Sequence, residues 1–146
     1  MLESLKPGLA ATLSYSVPVE RTVPYLLPES VEFAESPSVL ATGYLVGIVE
    51  WACLRAIEGY LSPGEVTLGI HVDMSHEAPT PPGGRLVVEA ELTGVEGRFL
   101  TFSVLASDEQ AVVCRGSHRR AVVVRDRFEA RISERSSRRG TILPGP

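Results

Sequence analysis

Cysteine is scarce. Cys53 and Cys114 stand in unrelated segments, with no CxxC pair and no Cys/His ligand spacing. A zinc site is not expected, no other metal or cofactor is implied, and a reduced cytosolic thiol is the default for each. The N-terminus, MLESLKPG, lacks the basic-then-apolar pattern of a secretory signal, so a cytoplasmic protein is expected. Only one long apolar run occurs, SPSVLATGYLVGIVEWACL, and it contains a proline, two glycines, several hydroxyls and an acid. With no second run to follow it, it suits a buried core helix better than a membrane span. No internal repeat is visible.

What is present is ordinary for a soluble domain: 146 residues, 44% hydrophobic and 22% charged. The length suits one domain with a real core. The net charge of −4 conceals an asymmetry, because nine of the fourteen Lys and Arg residues lie from Arg115 onward. That end carries about +6 and the remainder about −10. Its arginines lack interleaved aromatics and the whole chain is acidic, which argues against a nucleic-acid partner.

Glu50 is the only charged residue between Glu35 and Arg55. A lone carboxylate in such a helix is expected to be buried, where it must find a partner or raise its pKa. A carboxyl group tuned toward neutrality suits a general base or nucleophile; the competing reading is a structural carboxylate bonded to a backbone amide or an arginine.

Along the chain, the partial alternation over 9–18 predicts a strand. Residues 19–37 hold three prolines and an acidic stretch, read as a loop or a helix of one to two turns with Phe33 as its main apolar contact. A long helix is predicted over 38–59. Ser36-Pro37 could cap it, or Thr42-Gly43 could begin the regular part after an irregular turn. Apolar residues on almost its whole circumference imply that other elements wrap it. Strands are predicted at 66–76, 85–94, 98–107 and 110–124, with Leu86, Val88, Ala90 and Leu92 inward and Glu89 and Glu91 outward. Short turns between them imply an antiparallel meander. The fold class is therefore α+β, a long central helix wrapped by a curved antiparallel sheet. The domain is expected to span 1–131, with 132–146 a basic tail that frays or is disordered.

In the strand GIHVDMSH, His71, Asp73 and Ser75 share one face, and Ile70, Val72, Met74 and His76 the other. The first set imitates a Ser/His/Asp triad, but neighbours along one strand do not supply a triad's convergent geometry. His76 is the more informative, on the apolar face beside a proline-rich exit; a core histidine is its plainer reading. His118, within SHRRA, is expected to be solvated.

PES-x-EFAE, then ATG-x-x-VG-x-x-EWAC-x-RA, Leu68-Gly69, His76, A-x-TPPG, the VEGR turn at 95–98 and G-S-H-x-R-A-V at 116–122 follow in order. From about Pro18 to Arg127 this series resembles the fluoroacetyl-CoA thioesterase family of hotdog-fold acyl-CoA hydrolases. The resemblance implies catalytic roles for Thr42, Glu50 and His76, with Gly69 beside the acyl group; Thr42, with the Gly43 amide at the helix N-terminus, would then hydrogen-bond the carboxylate or the developing oxyanion. It also implies a coenzyme A thioester substrate and a homodimer with acyl sites at the subunit interface. The family pattern has two phenylalanines in a lid over the acyl group; Phe33 keeps the first, and Ser36 replaces the second.

Thr42 and Glu50, eight residues apart, would lie roughly 12 Å apart and about 80° around one straight helix. Either Thr42 precedes the regular helix or a two-fold axis brings it to the partner's carboxylate, and the resemblance favours the second. Arg115, Arg119, Arg120, Arg125 and Arg127 have two readings: contacts to the phosphates of CoA, with Arg120 a substrate-binding residue, or an outward strand face paired with acids. An acyl-CoA hydratase or dehydratase and a non-catalytic acyl-thioester binder are the alternative functions. Absence of an Asp-x-x-x-x-His pairing at the helix entry counts against the hydratase.

Overall fold

The computed structural model describes residues 1–138. Strands β1 (Ala10–Ser16), β2 (Glu65–Met74), β3 (Arg85–Glu96), β4 (Phe99–Ser107) and β5 (Val112–Val124) form one antiparallel sheet in the order β1-β3-β4-β5-β2. Helices α1 (Val31–Ala34), α2 (Thr42–Ala56) and α3 (Arg125–Ser137) complete the fold. The predicted inward set Leu86, Val88, Ala90 and Leu92 is buried, and Glu89 and Glu91 are exposed. β4 adds Leu100, Phe102, Val104 and Ala106 to the same core. Against it α2 lays Leu45, Ile48, Val49, Ala52, Cys53 and Ala56, spaced so that they share one helical face. Each buried aliphatic side chain contributes roughly 1.5–3 kcal/mol, which explains why a helix with few polar residues settles here. A two-residue turn, Gly97-Arg98, joins β3 to β4, with Gly97 at φ 59°, as glycine readily allows.

Several expectations are corrected. The regular helix begins at Thr42, four residues later than the longer reading, so Ser36-Pro37 does not cap it. The chain before it forms two short 3-10 turns, Val19–Arg21 and Val23–Tyr25, and the single turn of α1. α2 is not wrapped on all sides in one chain, since Trp51 and Leu54 are exposed. α3 carries regular helix through Ser137, into the segment expected to fray; the remainder of that tail, 139–146, lies outside the described residues. Both cysteines are free and buried.

A bulge in β2 positions the site. Opposed residues of an antiparallel pair project to the same face. Thr67 and Gly69 oppose Val122 and Arg120, but the register shifts between Gly69 and His71, after which Val72 and Met74 oppose His118 and Gly116. The extra residue resets the alternation. Thr67 and Gly69 therefore share the inward face with Val72 and Met74, although the two pairs have opposite parity in sequence.

Candidate active site

Two clusters of the predicted residues form, and no hydrogen bond or ion pair joins them within one chain among the described residues. At the start of α2, Thr42 Oγ1 lies 2.8 Å from His76 Nδ1. The Ala41 cap supplies no side-chain bond, and the first intrahelical bond runs from the Leu45 amide to the Ala41 carbonyl. The Thr42, Gly43 and Tyr44 amides thus have no intrahelical acceptor and point out of the positive end of the helix. His76 Nε2 is buried without a partner. Burial holds its pKa below the ordinary histidine value, opposed by the backbone at Ala78. A neutral ring with a vacant nitrogen can accept a proton or orient a water molecule.

The second cluster surrounds Glu50 in the middle of α2. Its Oε2 accepts a 2.7 Å bond from Arg120 Nη1. Arg120 is clamped from its other side by Thr67, Nε donating to Oγ1 at 2.8 Å and Nη2 to the carbonyl at 2.9 Å. The Glu50 side chain is 35% exposed, so the expectation of full burial fails within a single chain, while the expected partner is present. Gly69 allows the close approach, for a Cβ there would stand 3.0 Å from Glu50 Oε2. Burial pushes the nearby Cys53 thiol up to about 12, with the Arg120 charge lowering it and Glu50 raising it. That thiol stays protonated at neutral pH and is no nucleophile.

The outward reading of the basic cluster is corrected at Arg120, which is 4% exposed and turned into the core. Its donors go to Glu50, Thr67 and His118. Arg115 pairs with Glu77, Arg119 stacks on Phe99, and Arg125 reaches Glu129. His118 is corrected as well: expected to be solvated, it is completely buried beside Arg120. In the sequence His118 is read only as a solvated residue, and Thr67 is not singled out. Parity held the signal, since His118 and Arg120 share their face of β5 with buried Val122.

The imitation triad does not assemble, because Ser75 bonds Glu77 at 2.6 Å and the Arg115 backbone, not His71 or Asp73. In the lid segment, Phe33 is half-buried and the Ser36 hydroxyl donates to the Glu32 carbonyl. α1 packs on the Val23–Tyr25 turn. Leu26, next to that turn, abuts the start of α2, where a Cβ on Gly43 would meet its Cδ1 at 3.1 Å. No cluster of His, Cys, Asp and Glu able to hold a metal ion occurs among the described residues, and no described helix is long and apolar enough to cross a membrane.

Residues 25–126, which include both clusters, match the family model described as fluoroacetyl-CoA-specific thioesterase. The chain belongs to that family. It is 44% identical over 136 residues to the fluoroacetyl-CoA thioesterase of Streptantibioticus cattleyicolor, covering 93% of this chain and 98% of the relative. A mutant of the fluoroacetyl-CoA-specific thioesterase FlK, solved in complex with fluoroacetate and CoA, superposes with a TM-score of 0.83 at 47% identity, covering 85% of this chain and 99% of that one. A hot-dog-like protein from Thermanaerovibrio acidaminovorans shares the fold at 24% identity and a TM-score of 0.75, covering 88% and 91%. The family's sheet and helix are those described above, and the fold is the hotdog.

Proposed function

We propose that this thioesterase hydrolyses a short acyl-CoA to the free acid and CoA, with Glu50 as base or nucleophile and Thr42, Gly43 and His76 completing the site across a homodimer. The observation that carries this reading is the state of the Glu50 carboxylate. Oε2 is tied to Arg120, while Oε1 has no hydrogen-bond partner among the described residues and the side chain is partly open. As a base, Oε1 takes a proton from water, whose oxygen attacks the thioester carbonyl; the tetrahedral adduct then collapses, breaking the C–S bond and releasing CoA thiolate. As a nucleophile, it displaces the thiolate itself and leaves a mixed anhydride for water to open. Either route builds an oxyanion, and the free amides at the α2 N-terminus are suited to receive it. His76 suits delivery of the water or protonation of the thiolate.

The dimer is supported by surfaces that one chain leaves uncovered. β2 is an edge strand bearing exposed Leu68, Ile70 and Val72, and α2 exposes Trp51 and Leu54. Unprotected apolar edges invite pairing, and an isologous pair would make two equivalent sites. It would also cover Glu50 and let Thr42 of one subunit approach the carboxylate of the other. Phe33 and Ser36 belong to a lid, a role consistent with the packing of α1 on the Val23–Tyr25 turn, whose neighbour Leu26 meets Gly43. With serine at the second lid position, another short acyl group suits the site as well as fluoroacetyl does. A CoA ester substrate fits a cytoplasmic location.

The test is release of free CoA from short acyl-CoA esters, followed with a thiol-trapping dye. Wild type should release thiol, and Glu50→Gln should bind substrate yet lose about 10²–10⁴-fold in rate. Product without free thiol would indicate a hydratase, and binding alone a carrier. Hydrolysis by Glu50→Gln within about threefold of wild type would remove Glu50 from the chemistry.

A further inference from the structure

His118 lies deeper than any group assigned above. Its Nδ1 is 2.9 Å from the His71 carbonyl and its Nε2 3.1 Å from Arg120 Nη1. The carbonyl can only accept and the guanidinium can only donate. The hydrogen therefore sits on Nδ1, Nε2 presents a lone pair, and the ring is neutral. Glu50 Oε2, 3.9 Å from Nε2, is consequently not its ion-pair partner. Burial lowers the His118 pKa, the His71 carbonyl opposes this, the Arg120 charge adds to it, and Glu50 opposes it.

Arg120 has five N–H groups, and four are engaged: Nε and one on Nη2 with Thr67, and both on Nη1, one with Glu50 and one with His118. Thr67 fixes the guanidinium on one side, and His118 fixes Nη1 on the other. The remaining Nη1 hydrogen is thereby aimed at Glu50 Oε2. We propose that His118 is a positioning residue for the reaction: by accepting one Nη1 hydrogen of Arg120 it holds the other on Glu50 Oε2, which sets the carboxylate with Oε1 open to react. This rests on the reading of Glu50 as base or nucleophile.

The experiment compares wild type, His118→Leu, His118→Gln, Glu50→Gln and the double variant His118→Leu/Glu50→Gln. kcat and KM are measured on fluoroacetyl-CoA and acetyl-CoA, with rates corrected for the folded fraction. His118→Leu removes the acceptor and should lower kcat by about tenfold or more while KM moves less than about threefold. Glutamine carries an amide oxygen at the position of Nε2, so His118→Gln should recover most of kcat. In the Glu50→Gln background, His118→Leu should cost nothing further, because its effect passes through the carboxylate. Wild-type kcat in folded His118→Leu, equal losses in the leucine and glutamine variants, or an undiminished further loss in the double variant would each overturn the proposal. If His118→Leu does not fold, the glutamine variant decides: with its amide in place, kcat must stay within about threefold of wild type. Failure of the parent reading has its own signature, full hydrolysis by Glu50→Gln, and in that case the proposal falls with it.

Discussion

Thr42 bonds His76, 34 residues away in sequence, and not Glu50, which lies eight residues along its own helix. The long-range pair forms because His76 leaves β2 on the inward side and meets the first turn of α2. Glu50, two turns on, is captured by Arg120 from β5. One chain thus holds the two clusters apart, and among the described residues each leaves one atom without a protein partner: buried His76 Nε2 in one and the more open Glu50 Oε1 in the other.

On the proposed reading, that separation makes subunit pairing essential to activity. Lysine at Leu68 and at Ile70 places charge on the exposed apolar edge, off the inward face of β2. Wild type should sediment as a dimer at micromolar concentration. The double variant should shift toward monomer with its circular dichroism retained and its hydrolysis lost. A fully active monomer would contradict a site shared between subunits.

Gly69 is the second place where geometry is tight. A methyl group there would stand 3.0 Å from Glu50 Oε2 and 3.2 Å from His118 Cε1, closer than such contacts ordinarily settle. Gly69→Ala should push the carboxylate away from Arg120. The expected result is a kcat loss of about tenfold or more with a modest change in the unfolding midpoint. Unchanged kcat would show that Glu50 tolerates displacement.

Much of this architecture was legible in the sequence, for reasons particular to each element. β3 alternates with period two, and its inward set needed no structure to be named. Glu50 stood out as a charge in an apolar run. His118 and Arg120 were misjudged because they were weighed by composition, as part of a basic cluster, when their parity with Val122 aimed them inward. The bulge after Gly69 was invisible because no turn signal marks it, and it decides which residues of β2 face the helix. The late start of α2 follows from packing: Leu40 and Ala41 are completely buried in extended chain, with Leu40 bonded to the Thr80 carbonyl. α3 has no buried residue, so no apolar pattern of its own announced it.

The two inward histidines set a pH dependence of stability. His76 and His118 both have folded-state pKa values below the ordinary 6.5, with burial the leading cause. Below 6.5 the unfolded chain takes up protons that the folded chain resists, so the unfolded state binds more and stability rises with pH through this window. The contribution is complete above about pH 6.5 and is lost as pH falls toward the depressed values. Urea midpoints at pH 7.5 and pH 5.5 should therefore differ, the lower pH being less stable. His118→Gln should narrow the difference, and an equal difference in that variant would assign the effect to His76 and other groups.

The proposed lid predicts that Ser36 sets which acyl groups are admitted. Its hydroxyl bonds the Glu32 carbonyl at the end of α1, and beside it Phe33 is the one aromatic residue of that helix. With no second phenylalanine, the lid has less apolar surface to close over a two-carbon acyl group. Water and longer chains should enter more easily, and fluoroacetyl-CoA should be less sharply distinguished from acetyl-CoA. Ser36→Phe sacrifices the bond to Glu32 but adds a large apolar face, which should exclude water and strengthen polar contacts to the reacting carbonyl. The measurement is kcat/KM across acetyl-, propionyl-, butyryl- and fluoroacetyl-CoA for both proteins. The variant should favour the two-carbon esters and disfavour butyryl by about tenfold relative to wild type, within the range by which pocket size discriminates chain length. An unchanged profile would mean that residue 36 does not face the acyl group, and selectivity would then have to arise at Gly69 or at the partner's Thr42.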